Sequence, residues 1–229
     1  TNFLNYKNSF GDHTLDVLIG TEATKQNYKG FGALRTGYLF EDPGFYLLTN
    51  GSGVPVISGG AASSSSIFSL LGTANWSYGG KYFATATVRK DDTSRFAQAE
   101  ADAIFPSVSG AWLVSSEDWF DSSVFDTLKM RASWGELGNQ QIGGSNLDVN
   151  ISGLSEGTGF YAFSGSGGAT PGAVIASKGN PLLTWETMTS TNFALDMGFL
   201  DNKLTATIDV FSNETTGLVA QDTQKISTT

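Results

Sequence analysis

The chain has 229 residues, no cysteine, a formal net charge of −9 and an aromatic content of 12%. The lack of cysteine excludes disulfides, thiolate metal sites and cysteine nucleophiles, and the acidic balance argues against nucleic acid as a partner, because phosphate binding needs a basic surface. No stretch approaches the roughly 20 apolar residues of a transmembrane helix. A strand of a membrane barrel needs only about 9–11 residues, so a barrel is still allowed.

Alternating apolar and polar residues predict a series of β-strands along the first half of the chain. One such segment runs from residue 14 to about residue 25. Two more, 68–76 and 82–89, are separated by a tight turn at Ser77–Gly80. Between the first of these segments and residue 68, residues 30–66 have no period and are rich in Gly and Ser, which predicts a loop of about 35 residues.

The second half continues in the same way. Strands are predicted at 108–115 and at 128–135, where Leu, Met, Ala and Trp alternate with Lys, Arg, Ser and Gly. The longest irregular stretch then runs from Gly138 to about Leu183. Two last strands, 192–199 and 204–210, are joined by a short turn.

These segments, with a short mixed one at residues 1–7, make about eight strands, an estimate from period alone. Their connections alternate between short and long, so in an up-and-down sheet the long ones fall on one edge. Outer-membrane barrels have this asymmetry. Aromatic residues near the short-turn edge suit an interfacial girdle. They are Trp76, Tyr78, Tyr82, Trp112, Trp119, Phe120 and Phe199.

Charged residues stand in mid-strand on the polar side of these segments. A water-filled barrel lumen would explain them, and so would the solvent face of a soluble sandwich or propeller. The loop asymmetry favours a transmembrane antiparallel up-and-down β-barrel, with the apolar faces toward lipid. The charged residues, taken as candidates for substrate contact in the lumen, are Arg89, Lys129, Arg131, Asp196 and Asp209.

No catalytic constellation stands out, and we expect neither enzyme activity nor a metal or cofactor. His13 is the only histidine and lies beside a predicted turn. Carboxylate pairs such as Asp91–Asp92 lack the spacing of a calcium loop and indicate solvated charge. Trp185 and the pair Tyr161 and Phe163 flank or lie in the longest irregular stretch. There they either stack on sugar rings or pack within the loop.

Five blocks of the sequence resemble those of the SusC/RagA-type TonB-dependent outer-membrane transporters, in the family's order. The blocks are Val88–Phe96 (VRKDDTSRF), Phe105–Trp112 (FPSVSGAW), Leu128–Gln140 (LKMRASWGELGNQ), Asn180–Thr187 (NPLLTWET) and Asn192–Leu218.

The resemblance implies that residues 1–229 are part of a 22-stranded barrel with long extracellular loops, and that the plug domain, the TonB-binding segment and the last strands lie outside them. It implies import of oligosaccharides or peptides across the outer membrane of a Gram-negative bacterium of the Bacteroidota, driven by TonB. A SusD-like lipoprotein would cap the extracellular loops, and outer-membrane lipid would surround the wall. The alternative is a small self-contained β-barrel or β-sandwich that serves as an adhesive or structural surface module.

Overall fold

The computed structural model describes residues 1–141, 153–161, 170–177 and 180–218. These residues form ten β-strands and two 3-10 turns. No helix long and apolar enough to cross a membrane occurs among them. The strands are β1 (Asn2–Phe10), β2 (His13–Leu34), β3 (Val56–Tyr78), β4 (Tyr82–Thr93), β5 (Asp102–Leu113), β6 (Thr127–Asn139), β7 (Gly153–Tyr161), β8 (Thr170–Ser177), β9 (Glu186–Phe199) and β10 (Leu204–Thr216).

Eight strands form one sheet in the order β1-β2-β3-β4-β5-β6-β9-β10, and β7 pairs with β8 in a second sheet. The paired strands run antiparallel, which confirms the predicted all-β up-and-down arrangement. β6 pairs with β9 along its whole length, so the connection that contains β7 and β8 leaves and returns at neighbouring strands. Within the described residues β1 and β10 form the two edges, and the sheet does not close on itself.

The predicted loop over residues 30–66 is too long. β2 continues to Leu34 and β3 begins at Val56, so only residues 35–55 connect them. Small residues such as those at 60–66 give neither face an apolar character, and the period of a strand is then invisible in the sequence. Backbone pairing still forms there. The same reason applies to β7 and β8, whose residues were predicted to be irregular.

Residues 25–66 make a compact unit of their own, apart from residues 1–24 and 67–229. Within it Ser64 Oγ donates a hydrogen bond to Asn27 Oδ1 over 2.9 Å. The connection is closed by backbone hydrogen bonds, one of them from Gly53 N to Thr36 O over 2.9 Å. Asp42 caps the 3-10 turn at Pro43–Phe45 by accepting from Gly44 N. This connection therefore has internal order.

The strand register divides the side chains of the larger sheet between an apolar face and a polar face. Met130 lies opposite Trp112 and Leu195, and Leu195 lies opposite Ile208. The next row along β6 belongs to the other face, with Arg131 opposite Ala111 and Ala194. Because side chains at directly paired positions share a face, the predicted faces are confirmed over these strands.

Near the short connections, neighbouring aromatic rings form a chain of contacts that we call the aromatic belt. Successive ring centroids lie 4.6 to 6.4 Å apart. Trp76 also donates from Nε1 to His13 Nδ1 over 3.1 Å, and Phe199 contacts Phe125. The predicted clustering of aromatics at this edge is confirmed. The belt consists of His13, Trp76, Tyr78, Tyr82, Trp112, Trp119 and Phe120.

At the opposite edge lies the rim cluster, formed by Phe96, Phe105 and Trp185, all almost fully buried. Trp185 meets both phenylalanine rings edge to face, at centroid distances of 5.6 and 5.3 Å. Its Nε1 donates to Ala101 O over 3.1 Å. Gly138 lies against the Phe105 ring so closely that an added Cβ would be 2.0 Å from Phe105 Cζ. The rim cluster thus fixes the base of the connections between β4 and β5 and between β6 and β9.

Candidate functional site

Arg89 is held on the polar face by three side chains. Its Nε lies 2.8 Å from Asp91 Oδ1, and its Nη2 lies 2.9 Å from Ser69 Oγ and 3.4 Å from Glu22 Oε2. The Asp91 side chain is only 8% exposed, so the expectation of a solvated loop carboxylate is wrong for this residue. β4 extends to Thr93 and carries Asp91 into the sheet. The charge of Arg89 is therefore neutralised within the wall.

Arg131 and Asp196 form a bidentate ion pair on the same face. Arg131 donates from Nε to Asp196 Oδ2 over 2.7 Å and from Nη2 to Oδ1 over 2.9 Å. Asp196 Oδ1 also accepts from Thr207 Oγ1 over 3.0 Å. Asp209 lies one strand away and accepts from Asn192 Nδ2 over 3.4 Å. The two-point geometry makes this the most directional ion pair of the site.

Lys129 differs from these residues. It lies directly opposite Asp196 in the register, yet it takes part in none of the ion pairs formed by the described residues. Its Nζ instead lies 5.5 Å from the centre of the Phe83 ring, two strands away. Ala111 stands between them on β5, and its small side chain leaves the path open.

Two shallow pockets adjoin on the polar face, with volumes of about 440 and 340 Å³. They share Thr85, Ser109 and Ser133, and the larger one is also lined by Lys129 and Arg131. The charged candidates Lys129 and Arg131 are thus brought together, whereas Arg89 lines neither pocket. The serines were missed by sequence reasoning because alternation alone does not reveal which residues of different strands are opposite one another.

A larger groove of about 590 Å³ lies around Gly72, with Leu4, Ile19 and Val88 among its lining residues. Its accessible lining is almost wholly apolar, with few polar groups to orient a ligand. The pockets of the polar face combine hydroxyl groups and cations, so we consider them the candidate site despite their smaller volumes.

The two aromatic candidates fare differently from the charged ones. Trp185 is 6% exposed, which corrects the expectation of an open ring that stacks on sugars. It packs against Phe96 and Phe105, which lie outside the irregular stretch within which the alternative places its contacts. Tyr161 is the last residue of β7, but its side chain, like residue Phe163, lies outside the described residues. Its role in substrate binding stays a prediction.

Glu117 lies in the connection between β5 and β6 and forms hydrogen bonds with two residues of the aromatic belt. Its side chain is 10% exposed, and it accepts from Trp112 Nε1 over 2.9 Å, from Lys81 Nζ over 3.2 Å and from the Tyr82 hydroxyl. Hydrogen bonds from Tyr82 and then Trp112 lower the pKa of Glu117. The same carboxylate raises the pKa of Lys81 through the hydrogen bond between them. No group of three or more potential metal-ligating side chains occurs in the described ranges.

Comparison with known proteins agrees with this geometry. The family described as TonB dependent receptor-like, beta-barrel matches residues 1–229. Curated relatives include TonB-dependent receptor P3 of Formosa agariphila, 30% identical over 95% of this chain and 21% of that protein. TonB-dependent receptor SusC of Bacteroides thetaiotaomicron is 28% identical over 95% of this chain and 21% of that protein. The chain therefore spans about a fifth of the length of these relatives.

Solved structures are similar as well. The RagAB peptide transporter is 25% identical with a TM-score of 0.73 over 93% of this chain and 23% of that one. The RagAB peptide importer in its 'open-open' state is 26% identical with a TM-score of 0.75 over 93% of this chain and 22% of that one. Proteins of this kind are transporters of the outer membrane and not enzymes, which agrees with the predicted absence of catalysis. The chain belongs to the TonB-dependent receptor β-barrel family.

Proposed function

We propose that the chain forms part of the barrel wall of an importer in the outer membrane of a Gram-negative bacterium of the Bacteroidota. Residues 1–229 belong to the barrel domain, and the plug domain, the TonB-binding segment and the last strands lie outside them. The observation that carries this proposal is the register, which gathers the mid-strand charges on one face and the large apolar side chains on the other.

The cost of charge in a bilayer gives the two faces their roles. An Arg or Lys at the bilayer midplane of a barrel costs about 2–4 kcal/mol when it faces lipid, and much less when it lines the lumen. Lys129 and Arg131 lie on the polar face, opposite Leu113 and Ala111 of β5. The polar face therefore lines the lumen, and the apolar face, with the aromatic belt at its short-connection edge, meets lipid.

The substrate is an oligosaccharide or a peptide, taken up with energy supplied through TonB. The similarity to SusC and to the RagAB peptide transporter supports this class of cargo. A SusD-like lipoprotein would bind at the strand ends away from the aromatic belt, where β6 ends at Asn139 and β9 begins at Glu186. A small self-contained β-barrel or β-sandwich is less well supported, because residues 1–229 match the TonB dependent receptor-like β-barrel family and span about a fifth of the length of the curated relatives.

The test uses the full-length protein in its own bacterium. Its gene is deleted, and uptake of fluorescently labelled oligosaccharides and peptides is measured in the deletion strain, in the complemented strain and in the complemented strain treated with an uncoupler of the proton gradient. We expect uptake of one cargo class that requires both the gene and the gradient, together with co-purification of a lipoprotein. The proposal is contradicted if, for every cargo, uptake is unchanged by the deletion or unchanged by the uncoupler.

A further inference from the structure

Lys129 is the cation of the larger pocket that forms no ion pair with a carboxylate of the described residues. Arg131, which lines the same pocket, is neutralised by Asp196. Asp196, the residue opposite Lys129, makes its hydrogen bonds with Arg131 and Thr207 and acts on the lysine only through its charge. Lys129 instead keeps only the weaker contact with the Phe83 ring. An ammonium group in this position retains most of its capacity to donate hydrogen bonds.

Two hydroxyl groups of the same pocket lie about 13 Å further along the sheet, because Ser133 follows Lys129 by four residues on β6. Ser109 and Ser133 lie directly opposite each other on β5 and β6, and both are exposed and line the same pocket. Neither has a side-chain hydrogen bond among the described residues, whereas the flanking Thr85 is bound to Asn75 Oδ1 over 2.8 Å. The pocket therefore combines the Lys129 ammonium at one end with two hydroxyl groups at the other that make no side-chain hydrogen bond within the described residues.

We propose that this pocket is a subsite for one acidic unit of the transported substrate: its carboxylate pairs with the Lys129 ammonium, and other polar groups of the same stretch of substrate accept hydrogen bonds from the Ser109 and Ser133 hydroxyls. The inference rests on the proposed function, because only an importer brings substrate to the polar face. A volume of about 440 Å³ suits one sugar ring or one amino-acid residue, since ligand pockets start near 300 Å³.

The charge around the pocket limits the ligand to a single acid. Lys129 and Arg131 carry two positive charges, and Asp196 and Asp209 carry two negative ones, so the group is neutral as a whole. A highly charged polyanion finds no excess of cations here, and the whole chain carries a formal net charge of −9. A uronic acid unit and the C-terminal carboxylate of a peptide both satisfy this chemistry.

The experiment measures binding to the full-length protein, purified in detergent, with two matched pairs of probes. One pair is a uronic acid tetrasaccharide and its methyl ester; the other is a tetrapeptide with a free C-terminus and its C-terminal amide. The variants are Lys129→Gln, Lys129→Arg and the control Lys90→Gln, which removes a lysine whose Nζ is paired with Asp102 over 3.1 Å. Each variant is first checked for the heat-modifiable mobility of a folded barrel.

We expect the wild type to bind the acid member of one pair more tightly than its neutral partner. Lys129→Gln should weaken binding of that acid by about ten- to a hundred-fold, the range for a hydrogen bond to a charged group, and should leave the neutral partner unchanged. Lys129→Arg should retain the preference, and Lys90→Gln should not alter it. The pair that responds identifies the acid as sugar or peptide.

Equal binding of acid and neutral probes by the wild type overturns the subsite. So does a preference for the acid that survives in Lys129→Gln. Neither result touches the proposed function, which is decided by gene-dependent and gradient-dependent uptake. Gene-dependent uptake of cargo together with equal binding of the acid and neutral probes refutes the subsite and leaves the proposed function standing.

Discussion

The assignment of the two faces can be tested with a pair of neighbouring residues on β10. Val210 lies on the apolar face opposite Phe193, and Phe211 lies on the polar face opposite Asn192. Both lie on the last strand of the described sheet, one residue apart, so the two sites differ mainly in the face to which they belong. Val210→Arg places a guanidinium in lipid at a cost of about 2–4 kcal/mol. Phe211→Arg places it in the lumen, where that cost does not arise.

A loss of this size is a large fraction of the roughly 5–15 kcal/mol by which most proteins are stable. We therefore expect a sharp fall in folded Val210→Arg and near-normal amounts of Phe211→Arg. Both variants are expressed in the full-length protein, and the heat-modifiable band in outer-membrane fractions is compared with total protein. Equal folding of the two variants, or better folding of Val210→Arg, would refute the assignment of the apolar face to lipid.

Three further predictions concern stability of the purified barrel. Gly138→Ala should lower the free energy of unfolding by about 1–3 kcal/mol, because the new methyl group displaces the Phe105 ring; in a Phe105→Leu background, urea titration should show a much smaller loss. The pKa of Glu117 is lowered by folding, so its contribution to the free energy of unfolding is complete above the ordinary pKa of 4.5 and is lost as the pH falls below it. In an acid titration, Glu117→Gln should therefore lose less stability than the wild type. Leu200 has a φ of +56°, a conformation that costs a leucine more than a glycine. Leu200→Gly should therefore raise the free energy of unfolding by about 0.5–1 kcal/mol, seen as a higher thermal midpoint. Leu204→Gly, within a strand, should lower the midpoint.

The parts of the fold that alternation predicted are those in which the two faces differ strongly. β6, β9 and β10 carry large apolar side chains on one side and charges on the other, so their period of two is plain in the sequence. The segment that follows Val56 in β3 begins with small residues of little contrast, and its strand was missed. Backbone hydrogen bonds between neighbours form such strands without any contribution from side-chain pattern.

Sequence reasoning could predict the face on which the candidate site lies but not the contacts between its residues. The charged residues could be assigned to one face, but their partners depend on register, which single-strand patterns do not contain. The pairing of β6 with β9 places Lys129 opposite Asp196, yet the side-chain hydrogen bonds give both oxygens of Asp196 to Arg131. Trp185 was misjudged because its neighbours Phe96 and Phe105 are distant in sequence and meet it only in the folded chain.

The closed base of the long connection between β6 and β9 has an evolutionary consequence. Asn139 and Glu186 lie opposite each other, and Asn139 Nδ2 donates to Glu186 Oε2 over 2.7 Å, so the sheet continues without interruption beneath the insert. Doubling the length of a flexible loop with fixed ends costs only about 0.6 kcal/mol. Selection can therefore lengthen, shorten or exchange the connection between Gln141 and Asn180, while Trp185 stays in the rim cluster and the strands beneath keep their partners. The same sheet can in this way act as a scaffold for connections with different binding specificities.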